Sequence, residues 1–179
     1  MNIEQLLKDF MQLINKNEVE VYNEFSLQHE LGIYLRDRLK DYKVQFERNT
    51  KFFGISGTVK HEIDIVIYRN NEKYAIELKY PVNGQYPEEM FSFIKDIKFM
   101  EEMKTAGFDS TYCLTLVEDK NFYSGEKQDG IYSYFRGNTP IHGVITKPTG
   151  KKDFELNIEK NYLIDWKTIQ DMKYYLITI

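Results

Sequence analysis

Apolar side chains recur at helical spacing from the start of the chain. Ile3, Leu6, Leu7, Phe10, Leu13 and Ile14 share one face, and Asn15-Lys16-Asn17 offers a stop. The polar face of this helix is not strongly basic, so the pattern predicts packing against the domain or a second copy rather than on a membrane. A second helix is predicted from Asn23 or Ser26, both good N-caps, to about Lys40, with Leu27, Leu31, Tyr34, Leu35 and Leu39 as its stripe. Glu30 falls on that stripe. The period then drops to two, over Tyr42 to Arg48 and again over His61 to Tyr80, which predicts strands. Phe52 to Thr58 is a Gly-containing connection whose two Phe residues are expected in the core. Pro87 suits the first turn of a long helix through about Thr105, with Gly107 beyond its end and Met90, Phe93, Ile94, Ile97, Met100 and Met103 on its apolar face. Tyr112 to Val117 is a continuous apolar run, expected as a buried strand beside the hairpin. Further on, Asn121 to Gln128 is expected as a loop, and short strands are expected at Ile141 to Ile145, Phe154 to Ile158, Tyr162 to Trp166 and Tyr174 to Ile179.

The stretch His61 to Tyr80 organises the rest. Asn tolerates positive φ, so Arg69-Asn70-Asn71-Glu72 reads as a two-residue hairpin turn. With that turn as the centre, paired positions sum to 141, which sets Asp64 opposite Glu77 and Glu62 opposite Lys79. Glu62, Asp64, Val66, Ala75, Glu77 and Lys79 then share one face, and Ile63, Ile65, Ile67, Tyr74, Ile76 and Leu78 the other. Like charges directly opposite each other on a sheet cost up to about 1 kcal/mol, so a compensating cation is expected. Two converging carboxylates suit Mg²⁺, or Mn²⁺ in its place, and a lysine two positions along can act on phosphate or on an attacking water. The competing reading is a solvated strand face of Glu, Asp and Lys. Val66 and Ala75 on that face, and an Asp inside an Ile-rich run, argue for a covered face instead.

Ile63-Asp64, followed after twelve residues by Glu77-Leu78-Lys79, resembles the bipartite signature of the PD-(D/E)XK nuclease superfamily, with Ile where the motif has Pro. The resemblance implies an α/β fold with a restriction-endonuclease-like αβββαβ core, a central mixed sheet flanked by helices, over about 24–118. A β-rich extension would follow over about 119–179. It further implies hydrolysis of nucleic-acid phosphodiesters, DNA ahead of RNA, with Mg²⁺ as cofactor. Asp64 and Glu77 would be metal ligands, the Leu78 carbonyl a further ligand, and Lys79 the residue next to the attacking water. Glu30 is the matching position for a glutamate that the superfamily often carries on its first core helix. An acid on an apolar stripe needs a partner, and packing this helix over the face of Val66 and Ala75 would set Glu30 above the gap between Asp64 and Glu77. Glu24, at the helix start, is the competing choice and reads as structural. Lys95 and Lys98 are candidates for a basic contribution from the long helix.

Composition sets the limits. A chain of 179 residues, 42% hydrophobic and 29% charged, is expected to form one domain over 1–179 with a real core. The net charge of −4 makes any nucleic-acid contact local. Arg36 to Lys60 offers such a patch, seven Lys and Arg against three Asp and Glu. The basic turn Lys147 to Lys152 is a second, weaker one. The single Cys113 excludes an internal disulfide, and with no signal pattern or membrane-length apolar run the expectation is a cytoplasmic protein. Expected partners are nucleic acid, a second copy of the chain, or a protein that supplies specificity, with no membrane. The alternative function is a non-catalytic or partner-dependent nuclease-fold subunit of a defence, restriction or toxin system.

Overall fold

In the computed structural model, which describes residues 2–82, 84–150 and 154–179, a six-stranded mixed sheet is covered by helices on both faces. Its strands are β1 (Lys43–Asn49), β2 (Glu62–Arg69), β3 (Glu72–Lys79), β4 (Ser110–Val117), β7 (Lys167–Ile169) and β8 (Met172–Thr178). They lie in the order β1-β2-β3-β4-β8-β7, with β3 and β4 parallel and the other neighbours antiparallel. Strands β5 (Ile141–Thr146) and β6 (Glu155–Tyr162) form a separate ribbon. The helices are α1 (Ile3–Asn15), α2 (Glu24–Arg38), α3 (Tyr86–Thr105) and the short α4 (Tyr132–Arg136). Among the described residues, no helix is long and apolar enough to cross a membrane.

The helix boundaries follow from their caps. Asn23 caps α2, its side chain accepting from the Ser26 amide at 2.8 Å while Ser26 Oγ accepts from the Asn23 amide at 3.1 Å. Asn2 caps α1, and Pro87 sits in the first turn of α3. The β2–β3 turn has the expected register, with Val66 opposite Ala75 and Arg69 opposite Glu72, and Asn70 takes the positive φ of 52°.

Both sheet faces are core. Leu27, Leu31 and Leu35 of α2, with Leu7, Phe10 and Ile14 of α1, cover Ile65, Ile67, Ile76, Leu78, Leu114 and Leu116. On the other face, Ile94, Ile97 and Met100 of α3 pack with Val66, Ala75 and Cys113, and the β5–β6 ribbon closes this cluster from outside. The ribbon is tied down by Glu101, which is 4% exposed and accepts from the Glu159 and Lys160 amides at 3.0 Å and from the Tyr162 hydroxyl at 3.1 Å. The expected crossing of α2 over Val66 and Ala75 is therefore corrected: that face belongs to α3. Apolar spacing tells which side of a helix is buried, not which face of a sheet receives it. Ile63 also departs from simple alternation and packs with Val66 rather than with Ile65. α2 lies close on β1 because Gly32 has no Cβ, a position that would fall 2.0 Å from Cζ of Phe46.

The C-terminal third is woven into the sheet. β8 pairs with β4, so the chain returns to the centre after the ribbon. Tyr162 to Trp166 is not a strand of its own: Tyr162 ends β6, and a short β7 follows at Lys167. The loop expected at Asn121 starts in a helical turn whose Phe122 is buried. Of the two adjacent Phe residues, Phe53 packs against the α3 cluster while Phe52 is 51% exposed. α1 is fastened to the β7–β8 turn, where Gln170 Nε2 donates to the Ile14 carbonyl at 2.5 Å and to Asn17 Oδ1 at 2.8 Å.

Candidate active site

The β2–β3 ladder runs from the turn to Ile65 opposite Ile76. Beyond that pair the strands part and two carboxylates enter the opening. The Asp64 amide donates to Glu77 Oε1 at 3.2 Å, and the Leu78 amide donates to Asp64 Oδ2 at 2.7 Å. Each acid thus satisfies an amide near the other, which holds Asp64 and Glu77 together at the mouth of the hairpin. The neighbouring strand bends at the same level. Glu47, between the pairs Phe46–Ile65 and Arg48–Ile63 of the β1–β2 ladder, has a φ of 48°, a left-handed conformation that costs a non-Gly residue about 1 kcal/mol or more. Gln28 of α2 bridges the two strands, its Nε2 donating to the Asp64 carbonyl at 2.9 Å and to Glu47 Oε1 at 2.5 Å.

Two lysines neutralise part of this cluster. Lys60, in the connection before β2, donates to Glu77 Oε2 and to Asp96 Oδ1 of α3, the latter at 2.8 Å. Lys79 lies 3.5 Å from Asp96 Oδ2 and 3.4 Å from Glu24 Oε1, and donates to the Leu78 carbonyl at 3.0 Å. Glu24 also accepts from the Tyr80 amide at 3.1 Å. Asp96 Oδ2 is buried without a hydrogen-bond partner among the described residues. Four carboxylates, Glu24, Asp64, Glu77 and Asp96, thus surround two ammonium groups, leaving an excess of two negative charges when all are ionised. Glu24, Phe25, Gln28, Glu47, Asp64 and Leu78 line a pocket of about 290 Å³ here.

Burial dominates the electrostatics. It pushes the Asp64 carboxyl up to about 6 despite Lys60, Lys79 and the Leu78 amide. It also raises Glu77 well above the usual carboxylate range, and the charges of Asp64 and Asp96 add to that rise against the pull of Lys60. For the lysines burial works the other way and is outweighed. Asp96, Glu77 and Asp64 hold Lys60 above its ordinary value, and Asp96 and Glu24 do the same for Lys79. Both ammonium groups therefore stay charged at neutral pH. The hard oxygen donors within the cluster include the carboxylates of Asp64 and Glu77 and the carbonyl of Leu78. Among the described residues, no three His, Cys, Asp or Glu side chains stand together as a complete metal cage.

The structure brings Asp64, Glu77, Leu78 and Lys79 together and leaves Glu30 apart. Glu30 sits about 200° around α2 from Gln28, and it makes no hydrogen bond or ion pair with Asp64, Glu77 or Lys79 among the described residues. Glu24 fills the place assigned to it, one helical turn before Gln28. Lys98 pairs with Glu101 at 3.8 Å and Glu159 at 3.4 Å, and neither it nor Lys95 contacts the cluster. From α3 the cluster receives an acid, Asp96, and Lys60 joins it from the connection before β2, its ammonium beside Asp96 and the Phe99 ring of the same helix. Asp96 could have been found: it lies three residues after Phe93 and four before Met100, on the apolar stripe. Lys60 had no such signal, since it precedes β2 in an irregular stretch. Of the basic patch, Lys60 belongs to this cluster, and Arg36 donates to the Val44 carbonyl through Nε at 3.2 Å and one terminal nitrogen at 3.1 Å, its other terminal nitrogen making no hydrogen bond among the described residues. In the second basic turn Lys147 pairs with Glu88 at 3.4 Å, and Lys151 and Lys152 lie outside the described residues. His29 is exposed. Compared with models of known protein families, with curated proteins and with solved structures, the chain matches none.

Proposed function

We propose that the chain is a metal-dependent nuclease of the PD-(D/E)XK type that hydrolyses phosphodiester bonds of nucleic acid. The observation that carries this reading is the convergence of the Asp64 and Glu77 carboxylates, the Leu78 carbonyl and the Lys79 ammonium at one opened hairpin end beside a pocket. The succession α2-β1-β2-β3-α3-β4, with an antiparallel meander followed by a parallel β4, agrees with an αβββαβ core. The donor set fits a hard divalent cation. Its atoms are oxygens, and burial penalises the ionised acids in a way a cation would relieve. Mg²⁺ keeps most of its waters and needs only one or two carboxylates, so an incomplete protein cage is in keeping with it.

When bound, such a cation would supply Lewis-acid polarisation of the phosphate and a more acidic water. Asp64 and Glu77 would hold it, with Leu78 contributing its carbonyl. Lys79 keeps its proton and so serves as a donor to the developing phosphorane charge or to the attacking water, not as a base. Glu24 and Asp96 hold the Lys79 ammonium in place from two sides. The partner-dependent reading draws on one observation: Lys60 and Lys79 already offset much of the acid repulsion, so the cluster can persist without metal. The test is purified chain alone, with Mg²⁺ or Mn²⁺, on labelled DNA and RNA. Cleavage is expected, to be abolished in Lys79→Ala while that variant keeps its metal-dependent rise in melting temperature. Asp64→Ala should lose both. Equal thermal responses of wild type and Asp64→Ala would remove the metal site, and cleavage only with added cell extract would favour the partner-dependent subunit.

A further inference from the structure

We propose that the surface running from the carboxylate pocket along α2 to the edge strand β1 binds an unpaired strand of nucleic acid. Phe25 and Phe52 serve as stacking platforms for its bases, and Arg36 and Arg48 meet its phosphates. This rests on the nuclease reading, since it names the form of substrate that site receives.

Phe25, His29 and Ile33 recur every four residues and form a ridge on α2, away from the buried Leu27, Leu31 and Leu35. Phe25 is 72% exposed although it lines the pocket that holds Asp64, and its ring lies within 16° of parallel to that of His29. The ridge leads to Arg36, about 16 Å further along the helix axis. There a second recess, of about 500 Å³, is lined by Arg36, Phe46, Arg48, Asn49 and Phe52 among others. Glu47 lines both recesses, so the two adjoin. The Arg48 guanidinium lies 3.6 Å from the centre of the Phe52 ring and covers one of its faces, leaving the other to a base, and its Nε is buried without a hydrogen-bond partner among the described residues.

The composition of this path selects unpaired strands. In a duplex the base faces are covered by their neighbours, and a protein meets phosphates and groove edges. Exposed phenyl rings gain little there, and two arginines with Glu47 between them are too few to hold a duplex by charge. An unpaired strand offers its base faces to the rings, an interaction open to every base.

The test is fluorescence anisotropy in Ca²⁺ buffer. The probes are a labelled oligothymidylate, an oligouridylate and a blunt DNA duplex of equal length. Wild type is expected to bind at least one single strand about tenfold tighter than the duplex. Which single strand it prefers identifies DNA or RNA. Phe25→Ala and Phe52→Ala, with unchanged melting temperatures, should each weaken that binding about tenfold, and the logarithmic salt slope should be shallow, about −1.4 for two phosphates. Equal affinity for the duplex, or wild-type affinity in both Phe variants, overturns the proposal. So does a dimer that Phe25→Ala dissolves while nucleic-acid binding stays the same. Metal-dependent cleavage with no preference for unpaired strands sinks the groove and leaves the nuclease reading intact. Aromatic-dependent single-strand binding without cleavage in any metal does the reverse.

Discussion

Glu77 is 1% exposed and lies beside Asp64 and Asp96, so its charge depends on the cations that reach it. Lys60 bridges Glu77 to Asp96 and is the more consequential of the two lysines for stability. Lys60→Met keeps the length of the side chain and removes the charge, leaving buried Glu77 without its cation and Asp96 with Lys79 alone. The expected loss is about 3 kcal/mol in metal-free protein, measured by urea denaturation, and Mn²⁺ should restore part of it. Asp64 gives a pH dependence whose sign can be worked out. Its folded value is about 6, above that of an ordinary aspartate, so between about pH 4 and pH 6 the folded chain holds a proton that the unfolded chain has released. Stability from this group is complete below the unfolded value and is lost as pH rises through the folded one. The advantage of Asp64→Asn over wild type should therefore grow from about pH 4 to pH 6 and then level off in chelator-treated protein. A difference that stays flat across that window would contradict the buried, raised carboxyl.

At the scale of elements, the hairpin carries the site because its ladder stops one pair short of the carboxylates. Ile65, where the β2 ladder with β3 ends, is fully buried, and Ile65→Ala should cost about 2 to 5 kcal/mol in urea denaturation. Much of this element was legible in advance. Asn70-Asn71 marks the turn, the turn sets the register, and the register pairs Asp64 with Glu77. What alternation could not reveal is that the strands part there and that each acid caps an amide. The helix stripes were equally readable, but the face each would cover was not. That choice depends on the crossover from β3 through α3 to the parallel β4, a long-range property. The reading of Glu30 leaned on that face, because an acid on an apolar stripe is informative only once its destination is known. The same rule applied to α3 would have drawn attention to Asp96. Lys60 was out of reach of any periodicity, since its position is fixed by the path of an irregular connection.

On the scale of the whole molecule, the two sheet edges are closed in different ways. β7 is three residues long, and β1 is interrupted at Glu47, so neither offers a long regular template for added strands. The fastening of α1 to the β7–β8 turn has a consequence in time. Its hydrogen bonds join positions 156 apart. At about 5 to 20 residues per second, a ribosome needs roughly 10 to 30 s to make the partner after the helix has emerged. Throughout that interval the α1 face lacks Ile169, Met172 and Tyr174, while its neighbours on α2, β2 and β3 are already within reach. α1 can therefore meet α2 early, through Phe10 and Tyr34, while its fastening at the β7–β8 turn waits until Gln170 has been made.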